Sequence, residues 1–483
     1  MLFPEKTAMK TCQWLVIAMF LILTLGAAWA QSTGSQSSGT PPDQGNQPGP
    51  PSTIENPPIS GLDLPSLESG MPARSFLIPG LHVSEAVDSN LGDTSANSSV
   101  QGVTRVMGSL MLQKISSRSM TALDYIAGGE FYSGFAASSN QVQQLDAEQR
   151  FLWRNGQLTA RDQFSYLPEG IFGFGVYGES GAYDQGLAGI GYIGGGIGAG
   201  LGGLFGPGQF GSLGQEPRIN NLVTVDIDQA LTPRSSVTLA GGYGIVHFTN
   251  NADGFIDSDQ VSAEAAYDYQ LSRKNQIAFL YGFQDFRYPN FAGTTYTTHL
   301  GQVLFGHRIS GRMDLIVGAG PQVTIINSPL FGGTTQNFTI SAQAGLRYRF
   351  PRTSLGIFFS RFNTSGSGYF LGATSDVARV SASRPLGRLW TAGTDIGYAY
   401  NSRVQPGVLG LLPPTTTSFQ YWYAGAVARR ELGRHFSFFI SYQFNDLMFN
   451  SASCVAPGTC NLAAQRHVAA VGLDWHPHPI RLD

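Results

Sequence analysis

The stretch Val261-Ser-Ala-Glu-Ala-Ala-Tyr-Asp-Tyr-Gln-Leu271 alternates with a period of two. Successive side chains of a β-strand point to opposite faces. Val261, Ala263, Ala265, Tyr267, Tyr269 and Leu271 therefore share one face, and Ser262, Glu264, Asp268 and Gln270 the other. The pattern recurs along the chain. Phe338, Ile340, Ala342, Ala344, Leu346, Tyr348 and Phe350 oppose Thr339, Ser341, Gln343, Arg347 and Arg349. Phe436, Phe438, Ile440, Tyr442 and Phe444 oppose Ser437, Ser441, Gln443 and Asn445, and Trp390, Ala392, Ile396, Tyr398 and Tyr400 oppose Thr391 and Asp395.

A soluble sandwich alternates too, but its strands usually run about 5 to 6 residues. These runs reach about 10 to 13, the length a tilted strand needs to cross a bilayer. The connections also come in two kinds. Ser116-Ser117-Arg118, Arg154-Asn155-Gly156, Thr232-Pro233-Arg234, Ser310-Gly311-Arg312, Leu386-Gly387-Arg388 and Leu432-Gly433-Arg434 are tight, and longer polar segments lie between them. Tight turns on one rim and long loops on the other are the arrangement of a transmembrane barrel. Seventeen spans lie between about residues 103 and 476, and the last must descend from a long loop. A chain arriving from the periplasm then needs one earlier ascending strand, supplied by Ser75 to Ala86. The expectation is an all-β, single-chain antiparallel transmembrane barrel of about 18 strands, or 16 if two weak spans merge or drop out.

Composition agrees. Only 13% of the 483 residues are charged, against roughly 25% in ordinary soluble domains, while Gly (61) and aromatics (12%) are abundant. A net charge of -3 argues against a nucleic-acid partner. At the N-terminus, Lys6 and Lys10 precede the apolar run Trp14–Leu25, and Ala28-Trp29-Ala30 offers small residues for cleavage before Gln31. Residues 1–30 read as a cleaved secretory signal. Residues 31–73, rich in Pro, Ser, Gly and Gln, read as a disordered periplasmic leader that cannot bury enough surface to offset ordering entropy. The barrel is placed at residues 74–483, with one long Gly-rich loop at 169–217. Export permits a disulfide between Cys454 and Cys460, and no His pair near them favours zinc.

Signal, polar leader, membrane-length strands and the terminal Ala470-Val-Gly-Leu-Asp-Trp475 resemble the porin-like outer-membrane β-barrels of Gram-negative bacteria. The tail His476–Asp483 departs from that class by running past the terminal aromatic. Leu81-His82-Val83-Ser84-Glu85, leading to Asp88-Ser89-Asn90, is similar to the opening strand of environmental bacterial barrels, some linked to exopolysaccharide export. The resemblance implies a location in the outer membrane, with membrane lipid, lipopolysaccharide and the barrel-assembly machinery as partners.

With the apolar face toward lipid, parity turns Asp124, Glu130, Asp146, Glu148, Arg150, Arg161, Asp226, Asp228, Glu264, Asp268, Asp314, Arg347, Arg349, Arg379 and Asp395 inward. An Arg or Lys facing lipid at mid-depth costs roughly 2–4 kcal/mol, which favours that assignment. The functional expectation is a passive pore lined by these residues for small polar or charged solutes, with acids in excess. The alternative is a non-conducting barrel serving surface polysaccharide export or adhesion. The Gly-rich core Gly186–Gly203 is expected to pack into the lumen, since its apolar groups would make a poor surface. Trp153, Tyr166, Tyr288, Trp390, Tyr400, Trp422 and Trp475 are expected in interfacial girdles. No metal, cofactor or catalytic residue is expected: the eight His are scattered, and none sits in a nucleophile motif.

Overall fold

A computed structural model describes residues 58–60, 75–90, 100–133, 139–167, 217–249, 256–291, 293–329, 333–350, 352–366, 368, 370–404, 418–449 and 464–482. The expected signal segment, most of the expected leader, the core of the Gly-rich loop, and Cys454 with Cys460 lie outside these residues.

Long alternating runs become long strands. They are β1 (Phe76–Asp88), β2 (Gln101–Ile115), β3 (Ser119–Ser133), β4 (Asn140–Trp153), β5 (Gly156–Leu167) and β6 (Arg218–Thr232). The middle of the chain adds β7 (Ser235–Phe248), β8 (Ser258–Gln270), β9 (Asn275–Arg287), β10 (Thr295–Ser310), β11 (Met313–Ser328) and β12 (Gly333–Arg349). The remainder are β13 (Ser354–Thr364), β14 (Ala373–Leu386), β15 (Trp390–Arg403), β16 (Ser418–Glu431), β17 (Phe436–Phe449) and β18 (Ala464–Trp475). Each pairs antiparallel with its chain neighbour, and β1 pairs with β18 from Leu81↔Trp475 to Asp88↔Val468. Among the described residues the fold is therefore a closed barrel of 18 strands with no helix.

The tail that departs from the expected pattern has a place in this closure. Ile480–Arg481, strand β19, pairs with Leu77 and Phe76 at the end of β1 that lies beyond β18. Followed around the wall through its cross-strand partners, the register returns to β1 displaced by about 22 residues. With ordinary strand spacing and rise, that shear gives a tilt of about 40° and a backbone diameter of about 36 Å. Two bulges, at Ala230/Thr232 and Arg308/Ser310, sit beside tight turns. Two further tight turns use a left-handed Gly, Gly387 (φ 86) and Gly433 (φ 105).

The two faces separate as the alternation requires. Leu81, Val83, Val106, Val225, Leu239, Tyr267, Phe279, Val303, Ile357, Ile396 and Val471 point outward and stay exposed, forming an apolar belt. Outward-facing charges keep to the rims. Glu85, Asp162, Asp259, Asp285, Arg287, Arg361, Asp376 and Asp446 lie within about five residues of the loop-side strand ends, whereas Lys114, Arg384 and Arg430 lie beside the tight turns. A sheet with an apolar outside and a polar inside is built for a bilayer. Tyr288 departs from its expected girdle position. It follows β9 on the inward parity, is 2% exposed, and packs edge-on against Tyr296 inside the barrel.

Candidate functional site

Every charged residue assigned inward by parity falls on the inner face of the register, Arg349 by its backbone position opposite Ser354. They do not form one ring. On one side, Arg105 binds Glu130 at 2.5 Å, Arg150 binds Glu148 at 2.9 Å, and Arg161 bridges Glu148 (3.1 Å) and Asp226 (2.5 Å). Asp124 and Asp146 face each other across β3 and β4. Next to them Asp226, Asp228, Glu264 and Asp268 make an acidic sector on β6 and β8, where Asp228 accepts hydrogen bonds from Thr238 and Gln157. On the opposite side Arg379 grips Asp395 through two nitrogens (2.8 and 2.9 Å), and the Tyr423 hydroxyl donates to the same carboxylate at 3.2 Å. Asp314 pairs with Arg308 at 3.4 Å near the tight-turn rim and stands opposite Arg347.

Parity reasoning missed four features. The first is the seam between the first and last strands. Arg466 of β18 donates through Nε (2.8 Å) and Nη2 to Asp88 of β1, and Asp474 of β18 meets His82 of β1 at 2.8 Å. The second is a set of inward aromatics near the loop rim: Phe362, Phe370, Phe419, Tyr421 and Tyr423 pack with Val377 and Leu447.

The third is a short loop that turns into the barrel. Between β13 and β14 the backbone folds on itself, with Phe370 N donating to Gly366 O and Gly372 N to Ser365 O. From there it crosses toward other strands. Ile256 N donates to Gly368 O, Tyr288 Oη to Ser365 O, and the Phe370 ring lies 5.5 Å from that of Phe419. Gly372 takes φ +83 against the Tyr296 ring, where a Cβ would sit 2.8 Å from a ring carbon. The expected inward segment, Gly186–Gly203, lies outside the described residues, whereas Ser365, Gly366, Gly368 and Phe370–Gly372 are described and turn inward.

The fourth concerns the leader. At Pro58–Ser60 the expectation of disorder gives way to a docked segment. Ile59 N donates to Asp268 Oδ1 at 2.9 Å, Ser60 N to the same oxygen at 3.2 Å, and Ser60 Oγ to Asp268 Oδ2. The Ile59 side chain packs on an inner-wall patch of Ala240, Ala266, Ala278, Leu280, Leu300 and Leu304. It lies over Gly306, whose Cβ would come within 3.0 Å of Ile59 Cγ2. One buried carboxylate and an apolar socket together offset the ordering cost that a Pro/Ser segment meets alone.

No family model matches the chain, and no match is found among the curated proteins. Solved structures match the chain at low identity and low TM-score. The outer membrane protein opdK from Pseudomonas aeruginosa is 11% identical at a TM-score of 0.41, with 84% of this chain and 100% of that chain covered. OccAB1 of Acinetobacter baumannii is 9% identical at 0.39, covering 85% and 97%. The FrpB iron transporter from Neisseria meningitidis is 7% identical at 0.41, covering 84% and 83%.

Proposed function

We propose that the chain is an outer-membrane channel that passes small polar or charged solutes without chemical change. The observation that carries this reading is the closed 18-strand wall with an apolar belt outside and charged side chains inside. Barrels of about 16 to 18 strands are wide enough to enclose an aqueous path. The acidic sector of β6 and β8, with Asp124 and Asp146 beside it, favours cations over anions. Planar-bilayer recording of the purified barrel tests the reading. Discrete conductance steps with a cation-selective zero-current potential are expected; a silent bilayer containing correctly folded protein overturns it. A silent bilayer would support the second reading, a non-conducting barrel for surface polysaccharide export or adhesion. The packing of Phe362, Phe370, Tyr421, Tyr423 and Leu447 into the loop-side interior is the observation that favours it.

A further inference from the structure

Three inner-face side chains far apart in the sequence meet at the seam. His82 Nδ1 lies 2.8 Å from Asp474 Oδ1, and His82 Nε2 lies 2.8 Å from Ser109 Oγ. Each ring nitrogen thus has the partner that a nucleophile–base–orienter relay requires. The carboxylate accepts the Nδ1 proton, which leaves Nε2 free to accept from the hydroxyl. The other carboxylate oxygen is held by Arg429 Nη2 (2.6 Å) and Ser437 Oγ (3.1 Å), so Asp474 is fixed in place and its charge is shared.

Burial grades in the direction that catalysis needs. Asp474 is 2% exposed and His82 4%, while Ser109 is only half-buried on the inner wall. Only glycine fits beside the two reacting atoms without displacing them. Gly80 stands across from Ser109 in the β1–β2 ladder, and a Cβ there would lie 2.4 Å from Ser109 Oγ and 3.1 Å from His82 Nε2. Met107, Met111 and Ile126 share this inner face next to Ser109 and offer an apolar bed for an acyl group.

We propose that Ser109, His82 and Asp474 form an esterase site opening into the barrel, with carboxylic esters of apolar acyl groups as substrate. This does not depend on conduction. Ser109 Oγ attacks the acyl carbonyl carbon, and its proton passes to His82 Nε2. The ester C–O bond breaks, and the leaving alcohol takes that proton. Water, giving a proton to His82, then attacks the acyl-Ser109 carbonyl and releases the carboxylic acid, and the Ser109 hydroxyl is restored by the same proton. Asp474 is a positioning residue that holds the ring and stabilises its cationic form.

The backbone around Ser109 sets the substrate class further. Gly108, Ser109 and Leu110 are paired on both sides, with β1 and with β3, so their N–H groups belong to the ladder rather than to a loop-type oxyanion hole. Losing one oxyanion donor costs roughly 10²–10³ in rate. The site therefore suits activated esters, such as aryl esters, whose leaving group lowers the barrier.

The test uses the full mature chain, folded in detergent, with a fluorophosphonate probe and p-nitrophenyl butyrate. We expect one phosphonyl adduct, mapped to Ser109 by mass spectrometry, and slow ester turnover. S109A should abolish the adduct, and H82N should lower the labelling rate by about 10²-fold or more. G80A, whose Cβ would push Ser109 Oγ away from His82 Nε2, should block labelling as well. Because H82N removes a seam contact, heat-modifiable gel mobility checks its folding; S109A deletes only a hydroxyl and keeps the test decisive if H82N fails to fold. An unlabelled wild-type barrel, or equal labelling of wild type and S109A, overturns the proposal and leaves the three residues as a seam contact only.

Discussion

Arg466→Ala should weaken the barrel at its seam. Asp88 is fully buried and Arg466 is 3% exposed, and two Arg466 nitrogens reach Asp88 Oδ2. With Arg466 gone, Asp88 keeps the Asn90 amide on Oδ1 at 3.0 Å but loses its cation. Removing one partner of a buried ion pair costs about 3–5 kcal/mol, chiefly because the other charge stays buried and uncompensated. The retained amide places the expected loss at the lower end, about 3 kcal/mol, or roughly a 150-fold fall in the folded-to-unfolded ratio. Urea unfolding in detergent micelles, followed by gel mobility and tryptophan fluorescence, measures it. The double variant Asp88→Ala with Arg466→Ala should recover part of the loss, since neither charge is then stranded. A double variant whose loss equals the sum of the single losses would refute the coupling across the seam, because independent sites add.

Other perturbations address the belt, the lumen, the leader and the outer loop. Val225→Arg, at mid-depth on the outward face, should cost about 2–4 kcal/mol in refolding into lipid vesicles, whereas the same change at a rim should cost far less. Asp124→Asn should lower the cation-over-anion permeability ratio about fourfold, as expected for one charge about 10 Å from the ion in water, which attracts a cation and repels an anion by about twofold each; an unchanged zero-current potential would count against an ion path along this wall. Gly306→Val, or Asp268→Ala, should release Pro58–Ser60 and speed hydrogen exchange at the Ile59 and Ser60 amides, with no change in strand protection. Mass spectrometry of non-reduced peptides should show Cys454 joined to Cys460, and two free thiols would refute that linkage.

The barrel was legible because one physical rule governs every strand. Alternation over a membrane's depth can be read without knowing any contact, and the need to end with a descending strand placed β1, although Phe76–Gly80 alternates poorly. The inner face was harder to read. Phe419-Gln-Tyr-Trp-Tyr423 carries aromatics on both parities, so periodicity does not say that Tyr421 and Tyr423 turn inward. Ser109, His82 and Asp474 lie 27 and 392 positions apart, and only the register of β1 against both β2 and β18 brings them together. The leader hid its contact for another reason. A single Ile59 between Pro58 and Ser60 has no period at all, and its partner Asp268 is read first as one more lumenal acid.

The tilt and the strand lengths together set how high the wall stands. Fourteen residues, the length of β7 or β16, climb about 35 Å when inclined at 40°, some 10 Å more than an apolar band about 25 Å tall. The excess lies on the loop side, where Arg361 pairs with Asp376, Arg287 with Asp285, and Trp422 donates to Asp446. The last residues of sheet there rise clear of the hydrocarbon as a stiff parapet, bearing fixed charges at the level of the lipid headgroups. A solute entering the barrel from that side meets this ordered, hydrogen-bonded edge.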